Sequence, residues 1–132
     1  MVSAELYIDG AWPDFAGKTL ERLIAQEAWF AGELDDEANV VWLCVDGTWH
    51  KLYFDDDIIF WRTAKEGPSA NGADGQSFSL NDLGEKHALA GHALAACNGD
   101  AIEPGSAVSL AFANGKSVTF RNRYDTTTIQ VN

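Results

Sequence analysis

Two runs of carboxylates are the residues with the clearest chemical potential in this 132-residue chain. The first run contains Glu33, Asp35, Asp36 and Glu37, and the second contains Asp55, Asp56 and Asp57. Carboxylates at this density are typical of a cation site, of a solvated turn, or of a surface that contacts a basic partner. The second run lacks the Asp-x-Asp-x-Asp-Gly spacing and the later glutamate of helix-loop-helix calcium sites. We therefore expect no metal there, while a solvated turn and an acidic contact patch both remain open.

The histidines and the short motifs give no catalytic arrangement. His87 and His92 are five residues apart, which puts them on different faces of a helix and on opposite faces of a strand, and His50 is distant in sequence. The chain contains no GxGxxG, P-loop, HExxH, CxxC or GxSxG pattern. We therefore expect no catalytic residue, no metal and no cofactor, and the chain is predicted not to be an enzyme.

The charge of the chain is strongly negative and unevenly distributed. The net charge is −11, and residues 1 to 60 hold thirteen of the acidic side chains against only Lys18, Arg22 and Lys51. This balance argues against nucleic acid and against an anionic membrane, since both attract basic surfaces. It favours either simple solubility or a surface that steers a basic protein partner. Without a signal-peptide pattern or an apolar run of about 20 residues, the expected location is the cytoplasm.

The spacing of apolar residues predicts one domain, 1–132, of the α+β class. A mostly apolar stripe at i, i+3, i+4, i+7, i+8 and i+11 predicts one main helix that ends at Gly32; it consists of Leu20, Leu23, Ile24, Glu27, Ala28 and Ala31. The remainder predicts a twisted, mostly antiparallel sheet of about seven strands, with a flexible loop at about 63–77. Residues 85–97 are compatible with helix or strand, and strand is favoured for 88–97. Cys44 and Cys97 are expected to be reduced thiols.

The clearest local feature is the hairpin ANVVWLCV-DG-TWHKLYF. Asp46 and Gly47 predict a two-residue type I′ turn, which would pair Val45 with Thr48 and Trp42 with Lys51. Asp55 to Asp57 predict a second reversal and therefore a three-stranded meander. Asn114 and Gly115 predict another hairpin, with Leu110 and Phe112 on one face and with Ala111, Val118 and Phe120 on the other.

This meander predicts two different sheet faces, because alternate residues point in opposite directions. One face would carry Val41, Leu43, Leu52, Phe54, Ile58 and Phe60, and would form ordinary core. The other would carry Trp42, Trp49, Tyr53, Ile59 and Trp61 around Lys51. That aromatic face is either a second buried layer or a recognition surface on which the indole rings anchor a partner.

The closing region LAGHALAACNGDAIEPGSAVSLAFANGKSVTFRNRYDTTTIQV, together with the Val-Asp-Gly-Thr-Trp hairpin, resembles small bacterial immunity proteins of polymorphic and contact-dependent toxin systems. The resemblance implies a protein that binds the C-terminal domain of a cognate toxin, often a nuclease with a basic active site, and blocks it without turnover. It covers about the last 45 residues plus one hairpin, and it carries over no functional residues.

Charge and aromatic content give the candidate contact residues for such a partner. These partner-binding candidates are Glu33, Asp35, Asp36, Glu37, Trp49, Asp55, Asp56, Asp57 and Trp61. One rival is a small-ligand-binding or minor enzymatic domain in which Trp42, Trp49, Tyr53 and Trp61 line a pocket. Another is an adaptor subunit that uses the same aromatic face to form a homodimer.

Overall fold

The fold is nearly all β. A computed structural model describes residues 6–69, 72–73 and 76–132. Within these residues the strands are β1 (Tyr7–Asp9), β2 (Thr19–Phe30), β3 (Glu33–Val45), β4 (Thr48–Asp55), β5 (Ile58–Ala64), β6 (Gly72–Ala73), β7 (Gln76–Asp82), β8 (His92–Ala101), β9 (Ser106–Phe112), β10 (Ser117–Arg123) and β11 (Thr126–Val131). The single helix of the described residues, α1 (Leu83–Lys86), is one turn long and is capped by the Asp82 side chain. None of the described helices is long and apolar enough to cross a membrane.

The prediction of a main helix, and with it of the α+β class, is wrong. The segment with helical spacing is β2, which is paired on one edge with β3 and on the other with β7 and β8. A β-bulge between Leu20 and Arg22 explains the error. Because of the extra residue, Leu20 and Leu23 both point into the core although they are three residues apart. The bulged strand therefore has the i, i+3 spacing of apolar residues that is typical of a helix.

The sheet is curled. Its strand order is β1-β5-β4-β3-β2-β8-β9-β10-β11, with β7 beside β2 and β6 beside β7. Among the strands of the described residues, only β1 and β5 pair in parallel. The last strand returns to the first half of β3, where Asp36 accepts a hydrogen bond from the Thr127 amide and Glu37 accepts one from the Ile129 amide. The fully buried side chains lie inside this curl and include Leu20, Leu23, Val41, Leu43, Leu52, Ile59, Val108, Leu110 and Phe120.

The first hairpin is confirmed and the second turn of the meander is not. Asp46 and Gly47 both have positive φ, +45° and +81°, and the predicted pairs from Val45 with Thr48 to Val41 with Leu52 are present. At the next reversal Asp55 pairs with Ile58, so the turn contains two residues. This one-residue difference reverses the faces of β5. Ile59 and Trp61 therefore point into the core, whereas the side chains of Ile58 and Phe60 point outward.

The hairpin at Asn114 and Gly115 shows the same kind of shift. The Gly115 amide donates to the Phe112 carbonyl, and Val118 pairs with Leu110. The turn is one residue longer than a two-residue type I′ turn. Leu110, Phe112, Val118 and Phe120 consequently share one buried face, which corrects the predicted separation of Leu110 and Phe112 from Val118 and Phe120.

The segment between β1 and β2 crosses the curl and closes one of its ends. The Trp12 indole donates to the Cys97 carbonyl at 3.0 Å, Phe15 is buried, and the Gly17 amide donates to the Leu94 carbonyl at 2.8 Å. This segment thereby joins β5 to β8 across the core. Cys44 and Cys97 are both free thiols, the first buried and the second half-buried.

Parts of strands β5, β6 and β7 lie within the segment 63–77 that was expected to be a loop. Thr63 and Ala64 belong to β5, and the short β6 pairs with Gln76 and Ser77 at the start of β7. Residues 70, 71, 74 and 75 lie outside the described residues. Strand was correctly favoured for residues 92–97, which belong to β8, whereas 88–91 form the turn that precedes it.

Candidate partner-binding surface

The two acidic runs meet at one end of the curled sheet, and the turn between β10 and β11 joins them. The Asp36 carboxylate accepts from the Thr127 amide at 3.2 Å, and the Asp125 carboxylate accepts from the Asp56 amide at 3.1 Å. Asp125 and Thr127 are two residues apart, which is about 7 Å along a strand. We call this group of carboxylates the acidic end. It comprises both runs except Glu33, and it includes Asp125 from the β10–β11 turn: Asp35, Asp36, Glu37, Asp55, Asp56, Asp57 and Asp125.

Asp36 is a half-buried carboxylate of the acidic end, and its pKa is raised above the ordinary value. Burial is the main cause that raises its pKa, and the neighbouring charges of Asp35 and Glu37 raise it further. Hydrogen bonds from the amides of Ala38 and Thr127 act in the opposite direction. The carboxylate is thus partly desolvated and lies among like charges, an arrangement that a cation from outside would relieve.

A depression of about 190 Å³ lies beside Asp36. Its lining consists of Leu34, Asp35, Asp36, Glu37, Thr126, Thr127 and Thr128. Carboxylates and hydroxyl oxygens accept hydrogen bonds from ammonium and guanidinium groups. The depression therefore has the chemistry to receive the end of a lysine or arginine side chain.

The two turns in contact at the acidic end contain no glycine, although both have left-handed backbone. The φ values are +51° and +63° for Asp56 and Asp57, and +53° and +58° for Tyr124 and Asp125. Left-handed backbone costs non-glycine residues roughly 1–2 kcal/mol each, less for Asp. The turns thus retain carboxylates and an aromatic ring where glycine would be more stable. The Tyr124 side chain is 84% exposed.

The cations of the described chain do not neutralise the acidic end. The two ion pairs of the described residues are Arg22 with Asp82 and Arg62 with Asp9, and neither includes one of its carboxylates. Among the described residues, no ion pair therefore offsets the repulsion among these carboxylates.

The two tryptophans predicted as anchors lie away from this end. Trp61 is only 3% exposed and packs edge-on against Trp12 and Phe15, so it is a core residue and not a surface anchor. Trp49 is half-buried on the outer face, with the Gly67 backbone against its ring. It is six residues from Asp55 along β4, which is about 20 Å.

The outer face of the meander is covered by its own cations. Lys51 lies over the Trp42 ring, Arg22 over Trp49 and Arg62 over Phe60, each within 6 Å of the ring centroid. Trp42 also donates to the Gln26 side chain. Trp61 points into the core from the opposite face of the sheet, so it does not line a common cavity with Trp42, Trp49 and Tyr53.

Sequence reasoning placed Glu33 correctly among exposed acids but missed three residues of this surface. Glu33 pairs with Phe30 at the tip of the β2–β3 hairpin, three residues beyond Asp36. Tyr124 and Asp125 were missed because they are about 70 residues away from the second acidic run. Leu34, 46% exposed beside Asp35, was hidden by its apolar type. The RYDT bend before the last strand is the signal that could have identified the turn.

Comparison with known proteins finds no family model, no curated protein and no solved structure that matches this chain. Across the described residues, no group of three or more His, Cys, Asp and Glu side chains is placed to hold a metal ion.

Proposed function

We propose that this protein is an immunity-type inhibitor that binds a cognate bacterial toxin domain, a basic nuclease, and occludes its active or substrate-binding site. The observation that carries the proposal is the convergence of two acidic runs, separate in sequence, on one end of the sheet. The inhibitor works in the cytoplasm, where it meets the toxin, and it requires no turnover.

Electrostatics supports this function through the rate of association. A concentrated field of one sign raises association rates by roughly 10–10³-fold for a partner of opposite sign. The acidic end supplies such a field because its carboxylates have no cationic partner among the described residues. A cleft that binds a nucleic-acid backbone is basic, so it is the complementary surface.

Residence time requires buried contacts in addition to charge. Tyr124 and Leu34 are the exposed apolar side chains next to the carboxylates, and they take over the anchoring role first assigned to Trp49 and Trp61. Aromatic side chains at the centre of an interface commonly contribute about 2 kcal/mol or more. In this arrangement a toxin cation enters the depression beside Asp36 while Tyr124 packs against the surrounding surface.

Co-expression tests the proposal directly. The toxic C-terminal domain encoded beside this gene is expressed with or without the protein, and cell survival and co-purification are measured. We expect survival only with the protein, and a stable complex of the two chains. Cells that die despite ample soluble protein, or chains that separate during purification, would show that the protein is not the inhibitor. A homodimer without bound toxin would instead favour the adaptor role.

A further inference from the structure

A cavity of about 360 Å³ lies at the seam where β11 returns to the hairpin of β2 and β3. Its wall is built by β2, β3 and β7 on one side and by α1 and β11 on the other: Glu27, Leu34, Glu37 and Asn81, then Leu83, His87, Ile129 and Val131. The wall therefore combines four apolar side chains with two carboxylates, an amide and an imidazole. The volume is within the range for ligand sites, roughly 300–1,000 Å³.

The cavity extends the hydrophobic core outward to the seam. The pairing of β2 with β7 has no register shift, so Glu27 points to the same side of the sheet as the fully buried Ala25. Ile129 and Val131 pack against the core from β11, and the buried Leu83 does so from α1. A half-buried carboxylate is thus placed on the inner face of the sheet, beside apolar side chains.

A relay of hydrogen bonds orients the Glu27 carboxylate. Ser79 lies directly opposite Glu27 on β7, and its hydroxyl donates to Glu27 Oε1 at 2.8 Å. The Trp29 indole in turn donates to the Ser79 hydroxyl at 2.8 Å. Within the described residues only Oε1 of this carboxylate accepts a hydrogen bond, so Oε2 keeps its lone pairs for a ligand.

The Glu37 carboxylate is held at the seam itself. Its Oε1 accepts a hydrogen bond from the backbone amide of Ile129, and both residues line the cavity. The register of β2 with β3 is interrupted at this point, so Glu27 lies opposite residues 37–39. The two carboxylates are therefore cross-strand neighbours, and like charges in such positions repel each other.

The lysines that touch this wall do not pair with its carboxylates. Neither ion pair of the described residues includes a carboxylate of the cavity. Lys86 donates to the Asn81 side chain at 3.4 Å, and Lys116 donates to the His87 carbonyl at 3.1 Å. A positively charged ligand would therefore offset a repulsion that no described side chain offsets by an ion pair.

We propose that this cavity binds a small organic cation with a short apolar tail, of the alkylguanidinium or alkylammonium class. The N–H groups of the cation donate to Glu27 and Glu37, since charged donors and carboxylates form the stronger hydrogen bonds. The alkyl tail packs against Leu83, Ile129 and Val131 and is removed from water. The cavity shares Glu37 with the acidic end, but the inference does not depend on the proposed toxin partner.

The test compares n-butylguanidinium with n-butylurea, a neutral molecule of nearly the same shape, by ¹⁵N–¹H NMR titration. The reporters are the Trp29 indole group, at the start of the relay, and the Ile129 amide, which donates to Glu37. With n-butylguanidinium both should shift and reach half-saturation at about 1 mM, as for a ligand of about eight heavy atoms. n-Butylurea should bind at least about tenfold more weakly, because it has no charge. The Trp42 indole, which donates to Gln26, is the internal reference.

Two substitutions that remove one charge each locate the response. Glu27→Gln and Glu37→Gln keep an acceptor oxygen for the Ser79 hydroxyl and the Ile129 amide, and each should weaken binding of n-butylguanidinium about tenfold. The matched control is Glu33→Gln, an exposed position on the same hairpin that does not line the cavity. It changes the net charge equally and should alter binding by less than about twofold.

The source of the cation is distinguished with N-acetylarginine amide, which carries the guanidinium group on a peptide backbone. Tighter binding than that of n-butylguanidinium would identify an arginine of a protein partner as the occupant, and weaker binding would identify a free small cation; both results support a cation site.

The proposal fails if n-butylguanidinium leaves both reporters unmoved, or if n-butylurea binds as tightly. It also fails if the folded Glu27→Gln and Glu37→Gln proteins bind n-butylguanidinium like the parent. Such a failure leaves the toxin inhibitor proposal standing, since co-expression and co-purification decide that proposal separately.

Discussion

The acidic end and the aromatic cluster formed by Trp12, Phe15, His50 and Trp61 lie near opposite ends of β4, and they use side chains in opposite ways. Asp55 is the last residue of the strand at the acidic end, where the carboxylates form no ion pair with another described residue. His50 lies near its start, where uncharged rings pack inward. Exposed, unpaired charge costs folding stability and gives fast association, whereas buried rings give stability and shape. The comparison therefore separates a region whose charges lower stability from a region whose packed rings raise it.

Charge reversal at the acidic end should have the largest effect. Replacing Asp55, Asp56 and Asp57 with Lys should slow association with the toxin domain by roughly 10²-fold at low salt and flatten its salt dependence, because the steering field is lost. Stopped-flow association at several salt concentrations measures this.

The control for this experiment reverses Asp14, Glu66 and Glu85, which are exposed acids outside the acidic end. This triple variant changes the net charge by the same amount and should slow association much less. Equal slowing in both variants would show that total charge, and not the acidic end, governs the encounter.

Asp36 tests whether the acidic end also holds the fold together. Asp36→Ala leaves the amides of Ala38 and Thr127 without their acceptor and should lower the free energy of unfolding by about 1–3 kcal/mol. Asp36→Asn keeps the acceptor oxygen and should remain close to the parent. Urea denaturation at neutral pH measures both variants, and equal losses in the two would contradict a role based on hydrogen bonding.

The pH dependence of Asp36 gives an independent check. Its pKa is higher in the folded than in the unfolded protein, so the folded state binds more protons between the ordinary value of 3.8 and the raised value. The contribution of this group to stability is therefore greatest at low pH and falls as pH rises through the folded pKa. Asp36→Asn should remove that decline. An unchanged pH profile would show that the carboxylate is not desolvated.

The acidic residues and the first hairpin could be predicted from sequence because their signals are local. Asp46-Gly47 specifies its own turn, and a run of carboxylates is exposed in almost any fold. The position of Trp61 could not be predicted, because a turn of two residues instead of three reverses the faces of the following strand. The β2 helix was wrongly predicted because a bulge changes the spacing of its apolar residues. The contact between Asp56 and Asp125 depends on the closure of the whole sheet, which no local pattern encodes.

The two-residue turns of the meander, Asp46-Gly47 and Asp56-Asp57, allow a smaller test. Substitutions in them show whether the turn carboxylates lower the stability of the fold while they speed association. Asp56→Asn with Asp57→Gly should raise the free energy of unfolding by about 1 kcal/mol, because Asn-Gly suits left-handed backbone, and should also slow association with the toxin. Gly47→Ala should cost about 1 kcal/mol, since the space around Gly47 is open and the neutral methyl group adds no charge beside Glu21, which accepts from the Gly47 amide. Thermal and urea unfolding measure both. A stability loss in the Asn-Gly variant would mean that the carboxylates of the turn stabilise the fold.

The smallest expected effect is the acid sensitivity that His50 confers on the aromatic region. Burial lowers its pKa in the folded state below the ordinary 6.5, so the unfolded chain binds more protons as the solution is acidified. The contribution of His50 to the free energy of unfolding is therefore fully present above pH 6.5, and it is lost as the pH falls toward the pKa of the folded state. His50→Gln should therefore weaken the loss of stability between pH 7.5 and 5, measured by urea unfolding. His92→Gln, at an exposed histidine, is the control for the loss of a histidine as such. If the His50 variant keeps the full slope, the imidazole is solvated in the folded protein, and burial does not lower its pKa.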